Sequence, residues 1–445
     1  MEAGSPLILL LVPIVAAVVA LLIRARRRAT ALVGLGWVVL LTILLALATP
    51  GIGLFADNSL TTFGREFVLT PFVRSLFLFI YPAMGVLFAY TWFHPSGRAL
   101  VPAGLAVLSP MAAALMITPA ALGVAFIVAT AAVSIPVLFG GRFDAARAAW
   151  RYFLLAAAGM APMLLALSAP AGSAGASSWH WPLIALLIWL GSFPFHIWVT
   201  GLGRHASTTA LTLMLALVQI GIVVYLFTAL DAVPAARASA QFQAAVRWSA
   251  SLTALIAAFQ MARATDQRGV LTGLLLLDLG LLPLAALSPS SDGLLIALPA
   301  LIGRFLSLML ITTALAVVPV DGDSTRAARW NALLRPGILL YACLSLIGLP
   351  LTPGFSGRWA QVAVAGQGAS PWPVVLILFA MAVSAIAMMR ALPFLAATDQ
   401  TPQQGGRVVP KTETIYLLFL IGAAILTGLL PGLLTDLAAR MLGLV

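Results

Sequence analysis

Apolar residues run along this chain in blocks of roughly twenty, separated by short segments that hold most of the Arg, Asp, Pro and Gly. A helical block of that length is enough to cross the hydrocarbon core of a bilayer, so the pattern predicts about fourteen transmembrane helices. They fall near 5–23, 30–50, 70–92, 99–117, 119–140, 150–169, 181–199, 206–230, 247–264, 268–287, 294–318, 336–366, 371–390 and 413–435. Two of these blocks are interrupted. Residues 189–205 read WLGSFPFHIWVTGLGRH, with Pro194 between two phenylalanines and His196 just after, and Pro350, Pro353, Gly354 and Gly357 break the block at 336–366. Proline removes a backbone donor and clashes with the preceding turn, so each break needs local repair.

The interrupted blocks occupy matching places in two runs of five helices, the pattern of an inverted-repeat membrane fold. The expected architecture is an all-α polytopic membrane protein. Three transmembrane helices in 1–98 precede a first five-helix repeat at 99–230 and a second at 247–390, and a loop and last helix occupy 391–445.

Composition agrees with that class. Of the 445 residues 62% are hydrophobic and 8% charged, with a mean hydropathy of +1.09, whereas a soluble chain carries about 25% charged residues. The net charge of +11 does not point to nucleic acid, because the basic residues are scattered over loop ends without interleaved aromatics. They read as topology determinants. Arg24, Arg26, Arg27, Arg28, Arg98, Arg142, Arg147, Arg151, Arg204, Arg263, Arg268, Arg326, Arg329, Arg335, Arg390, Arg407 and Lys411 all fall on one side of the helix pattern. Asp57, Glu66, Asp231 and Asp292 fall on the other, with Arg237 and Arg247 as minor exceptions. The positive-inside rule then puts the Arg-rich loops in the cytoplasm and both termini outside a bacterial-type inner membrane. The first helix reads as a retained anchor, since its charge follows the apolar run. The partners this implies are the lipid bilayer and other membrane subunits.

Little in the chain offers enzyme chemistry. The single cysteine, Cys343, sits in an apolar run, and there is no CxxC, HExxH, glycine-rich phosphate loop or nucleophile–base pair. His94, His180, His196 and His205 are dispersed, so neither a metal site nor a catalytic or cofactor-binding residue is expected. Charges within the membrane are costly and therefore functional candidates. Asp278 in LLLLDLGLL, Arg304 in LPALIGRFLSLML and Arg358 after GLPLTPGFSG qualify. Asp278 with an Arg reads either as a structural ion pair or as part of an ion path. Gln219, in LALVQIGIV, fits an interhelical hydrogen bond. His196 fits either titration near neutral pH or capping of carbonyls freed by the break.

Three segments carry a family resemblance. SFPFHIW at 192–198 resembles the PFHxW signature of the antiporter-like membrane subunits of respiratory complex I, shared with Mrp-type antiporters and membrane-bound hydrogenases. ATDQRGVLTGLLLLDLG at 264–280 and SLIGLPLTPGFSGRW at 345–359 resemble two further family stretches, in the same order. The resemblance implies a proton path through a line of buried charges. Of that line, the first half retains nothing that carries a proton: the glutamate position holds Ala131 and the two lysine positions hold Trp189 and Gln219. The second half holds Asp278, Arg304 and Arg358 in place of a histidine, a lysine, and a lysine or glutamate. Arginine does not release its proton in proteins. No long lateral helix is expected, because the sequence stops soon after its last apolar block.

The resemblance thus implies a membrane-arm subunit of a complex I-like NADH:quinone oxidoreductase, structural or only partly competent in proton translocation and without a catalytic centre of its own. NADH, flavin, Fe–S clusters and quinone would belong to partner subunits. The alternatives are an active H⁺ or cation translocating subunit of an Mrp-, hydrogenase- or inorganic-carbon-uptake-type complex, and a purely structural membrane scaffold.

Overall fold

The computed structural model describes residues 5–47, 59–62, 64–94, 96–139, 143–168, 178–316, 326–396 and 411–444. Asp57, Arg142 and Arg407 lie outside the described residues. Helices dominate. The N-terminal region contains α1 (Ser5–Leu22), α2 (Arg27–Leu47) and α3 (Pro71–Phe93). The next stretch contains α4 (Leu100–Met116), α5 (Gly123–Phe139), α6 (Phe143–Ala158), α7 (Met160–Ser168), α8 (His180–Trp189) and α9 (Ile197–His205). A span then runs through α10 (Thr208–Leu211), a π-helical turn (Thr212–Val218) and α11 (Gln219–Asp231), and short α12 (Pro234–Ala238) follows. The remainder comprises α13 (Ala240–Arg263), α14 (Gln267–Gly280), α15 (Ser290–Ala316), α16 (Arg326–Ile347), α17 (Phe355–Gly366), α18 (Trp372–Ala396), α19 (Lys411–Leu429) and α20 (Gly432–Met441).

Among the described residues, nine helical spans are long and apolar enough to cross a membrane by length and composition, with shorter apolar helices at Pro6–Leu22, Leu100–Met116, His180–Trp189 and Arg335–Ile347. Thr208–Asp231 and Gln267–Leu287 are buried almost throughout and form the centre of the bundle. The flanking helices turn large apolar side chains outward, among them Ile43 on α2, Ile386 on α18 and Ile415 on α19. In a bilayer such a surface meets acyl chains.

The apolar pattern finds apolar helices but not their polar ends. Helix α6 starts at Phe143, so Arg147 and Arg151 lie within its first turns and not in a loop. Likewise α16 opens at Arg326 and α19 at Lys411. Arg147 and Arg151 are exposed and reach water from inside α6, so that helix outruns its apolar stretch. In the segment before α3, β1 (Ser59–Thr62) pairs with β2 (Arg65–Val68), and β2 pairs with β3 (Ile117–Thr118), both antiparallel. This small sheet caps one end of the bundle.

Both expected breaks are present, and each is repaired by side chains. Between α8 and α9 the chain turns through Gly191 at φ +63°, where a Cβ would lie 2.3 Å from Val199 Cγ2. Ser249 Oγ donates to the Phe193 carbonyl (2.5 Å) and Thr253 Oγ1 accepts from Phe193 N (2.8 Å). These two residues sit four apart on one face of α13, which docks the break. Trp198 Nε1 donates back across it to the Ile188 carbonyl (2.9 Å).

The second break, between α16 and α17, uses similar parts. Gly348 takes φ +88°, Trp359 Nε1 donates back to its carbonyl (3.0 Å), and Ser345 Oγ accepts from Gly354 N (3.0 Å). Helix α15 approaches this turn so closely that a Cβ on Gly303 would sit 2.7 Å from the Pro353 carbonyl oxygen. Backbone groups left open in an apolar setting would each cost several kcal/mol, so the hydroxyls and indoles are structural necessities.

Removing the α13 repair should therefore loosen the first break. Thr253→Val and Ser249→Ala are each expected to lower stability by about 1–3 kcal/mol, the cost of an unsatisfied buried backbone group. Thermal unfolding of the purified protein in mild detergent measures it, and an unchanged transition in both variants would contradict the account.

Candidate functional site

The three intramembrane charges converge on one point. Asp278 lies near the C-terminal end of α14, Arg304 midway along α15, and Arg358 in the first turn of α17 just past the second break. Their exposures are 3%, 1% and 2%. Asp278 Oδ2 accepts from Arg304 Nε, and Asp278 Oδ1 accepts from Arg358 Nη2. Arg358 Nη1 also donates to the Asp278 carbonyl (3.1 Å) and to Gln361 Oε1 (2.8 Å). The expectation of a single Asp278–Arg pair is thus corrected to a triad of one carboxylate between two guanidiniums. The reason is the break: α17 starts beside α14 and α15, so Arg358 reaches Oδ1 of the carboxylate whose Oδ2 Arg304 holds.

The triad is tied to the centre of the bundle. Arg304 Nη1 donates to the Leu215 carbonyl (2.9 Å) within the π-helical turn. A π-helical turn displaces backbone hydrogen bonds, and Arg304 takes one of its carbonyls. Just after that turn, Gln219 Nε2 donates to the Trp189 carbonyl (3.1 Å) at the end of α8. Gln219 therefore makes the interhelical hydrogen bond expected of it. The result is a continuous line of polar contacts across the bundle, from Trp189 through Gln219, the π-helical turn, Arg304 and Asp278 to Arg358 and Gln361.

The other half of the expected path is filled with hydrocarbon and aromatic rings. Ala131 on α5 and Trp189 face a common void of about 10 Å³, bounded also by Tyr152, Ala156, Trp198 and Ile222. That is no more than one water's worth of space. Trp189 Nε1 is spent on the Ala156 carbonyl (2.8 Å), and Tyr152 packs on Trp198 with ring centroids 5.1 Å apart. The indole occupies most of this space.

His196 stands apart from this line. It stacks on Phe193 at a centroid distance of 6.2 Å, and its buried Nδ1 has no hydrogen-bond partner among the described residues. Its side chain does not cap the carbonyls of the break, which Ser249, Trp198 and Gln219 serve instead. Sequence reasoning missed Gln361, Ser249, Thr253 and the role of Trp198. Gln361 was findable, since it lies three residues after Arg358 on the same helix face. No sequence signal marked the Leu215 carbonyl.

The fold is shared with known membrane proteins. Solved structures similar over nearly the whole chain include respiratory complex I from Thermus thermophilus (22% identity, TM-score 0.73, 98% of this chain and 99% of that one). The archaeal membrane-bound sulfane sulfur reductase aligns at 16% identity with a TM-score of 0.74 over 98% of this chain and 97% of that one. The Mrp complex from Dietzia aligns at 17% identity and TM-score 0.74, covering 98% of this chain and 52% of that one. The chain thus shares its fold with membrane chains of all three complexes.

Sequence relatives narrow the likeness. NADH-quinone oxidoreductase subunit N of Salinispora arenicola is 27% identical over 266 residues, 58% of this chain and 51% of the relative. The same subunit from a Nocardioides species is 29% identical over 291 residues, 58% of this chain and 52% of the relative. The chain thus spans about half the length of the curated relatives it matches. No family model matches it.

The triad is asymmetric, and this gives a quantitative expectation. Asp278→Asn strips the only carboxylate from two guanidiniums, whereas Arg304→Gln leaves Asp278 paired with Arg358. The first should cost about 3–5 kcal/mol, the usual penalty for breaking a buried pair, and the second less. The double variant should be milder than the sum of the two. Unfolding measurements on all three complete the cycle, and equal, additive losses would contradict a shared triad.

Proposed function

We propose that this chain is a membrane-arm subunit of a complex I-like NADH:quinone oxidoreductase in which buried charge holds the structure together and does not relay protons through the whole subunit. The observation that carries this is the Asp278–Arg304–Arg358 triad, set beside the indole-filled void at Ala131 and Trp189. Relay needs groups that exchange protons near neutral pH, and a guanidinium does not. In the first half, Ala131, Trp189 and Gln219 offer no carrier either. Asp278 is the one carboxylate on the line, and both its oxygens are engaged by arginines.

The proposed architecture is fourteen spans with both termini outside, three helices in 1–98, inverted five-helix repeats at 99–230 and 247–390, and a closing segment at 391–445. The matched breaks support it. Each has a glycine at positive φ, and each has a tryptophan after the break donating back to a carbonyl before it. The subunit holds no redox centre in this reading. NADH, flavin, Fe–S clusters and quinone are assigned to partner chains, in keeping with the names of its sequence relatives.

One observation favours a second reading, in which the subunit moves H⁺ or a cation by another route. His196 keeps an unpartnered, buried Nδ1 beside the first break, the place at which such folds put their ion sites. The Mrp-like and sulfane-sulfur-reductase-like neighbours are compatible with that reading.

Purification of the tagged chain from its native membranes tests the proposal. It should bring down redox-carrying chains and NADH:quinone reductase activity in constant proportion. Recovery of a monodisperse single chain that catalyses cation–proton antiport in vesicles would refute it.

A further inference from the structure

A cavity of about 230 Å³ lies near the C-terminal ends of α3 and α15, between them, the middle of α16 and the start of α19. Ile338, Leu417, Leu418 and Ile421 form its aliphatic wall, and Leu418 is 61% exposed, so the cavity opens along α19 to the outer, lipid-facing surface. Its polar end is built from Arg335, His94 and Glu413. Glu413 Oε1 lies 2.5 Å from His94 Nε2, so its carboxylate is engaged there and not with Arg335. Arg335 is only 8% exposed. Its Nε donates to the Ala314 carbonyl (3.2 Å), while its buried Nη1 finds no partner among the described residues.

A buried cation with an open donor at the mouth of an apolar chamber is half of a recognition site. Taking a guanidinium out of water is unfavourable unless an anion meets it. A chamber of this volume has room for about eight groups the size of a water molecule, at roughly 30 Å³ each, enough for part of an acyl chain. Basic pockets between transmembrane helices suit the headgroups of anionic lipids. We propose that this cavity binds an anionic phospholipid, with one acyl chain between Ile338 and Ile421 and the phosphate on Arg335. The charge at Arg335 selects against neutral amphiphiles of the same shape, and the opening along α19 admits the chain from the bilayer.

Photolabelling of the membrane-embedded protein, in whatever assembly it occupies, tests the site. Phosphatidylglycerol and phosphatidylcholine carrying the same diazirine acyl chain would be compared, with crosslinks mapped by mass spectrometry to α16 and α19. Phosphatidylglycerol should label these helices about five-fold more strongly, the preference that one near-surface cation confers. Arg335→Gln should abolish the preference and Arg335→Lys should keep it. Millimolar inorganic phosphate should not displace the label, because the chain supplies part of the binding. Equal labelling by the two lipids in the parent protein would overturn the proposal even if the glutamine variant failed to fold. Displacement by inorganic phosphate, or by a neutral isoprenoid quinone in place of unlabelled phosphatidylglycerol, would overturn it as well.

Discussion

Burying a guanidinium in an apolar bundle is costly unless a counter-charge and hydrogen bonds meet it, and Asp278 supplies that counter-charge to two of them. Much of the second half of the structure follows from this requirement. Arg358 reaches Asp278 because α16 and α17 are interrupted, and the interruption is stable because Ser345, Trp359 and Gly348 complete its backbone bonds. Arg304 reaches the same carboxylate from α15, and α15 sits close enough because Gly303 lets it approach the Pro353 carbonyl. The break, the close helix contact and the triad are one arrangement.

That arrangement extends to the first half through backbone groups. Arg304 holds the Leu215 carbonyl of the π-helical turn, and Gln219 holds the Trp189 carbonyl. The polar line therefore joins the two broken segments and contains a single carboxylate, Asp278, held on both oxygens by arginines. At the far end of the line the indole of Trp189 fills the chamber beside Ala131. Along the axis of this fold stand permanently charged donors and aromatic packing. On the proposed function, such a subunit holds its neighbours in register within a membrane arm whose ion movement occurs in other chains.

Much of this was legible in the sequence. Blocks of apolar residues located the spans because twenty such residues have one economical fate in a bilayer. Pro194 and the Pro350–Gly357 stretch marked the breaks, since proline and glycine act locally on the backbone. Asp278, Arg304 and Arg358 stood out because charges are rare at that depth. Their partnership was less readable. Pairing Asp278 with Arg304 needs only neighbouring helices, whereas adding Arg358 depends on the direction in which the chain leaves the second break. The roles of Ser249, Thr253 and Trp198 were hidden for a related reason: in an apolar chain a hydroxyl or indole looks unremarkable until the carbonyl it serves is known. Helix ends at Arg147, Arg326 and Lys411 were misjudged because apolar periodicity stops at the hydrocarbon boundary and helices do not.

The central claim is that charge on the line from Trp189 to Gln361 is held in place and not transported. The proton-to-electron ratio of the intact assembly in reconstituted vesicles tests it most directly, comparing the parent with Trp189→Ala and Asp278→Asn after confirming equal subunit composition. An unchanged ratio in both variants is the predicted result. A clear fall with Asp278→Asn alone would mean that the second half conducts protons through the one carboxylate of the triad, and would contradict the account.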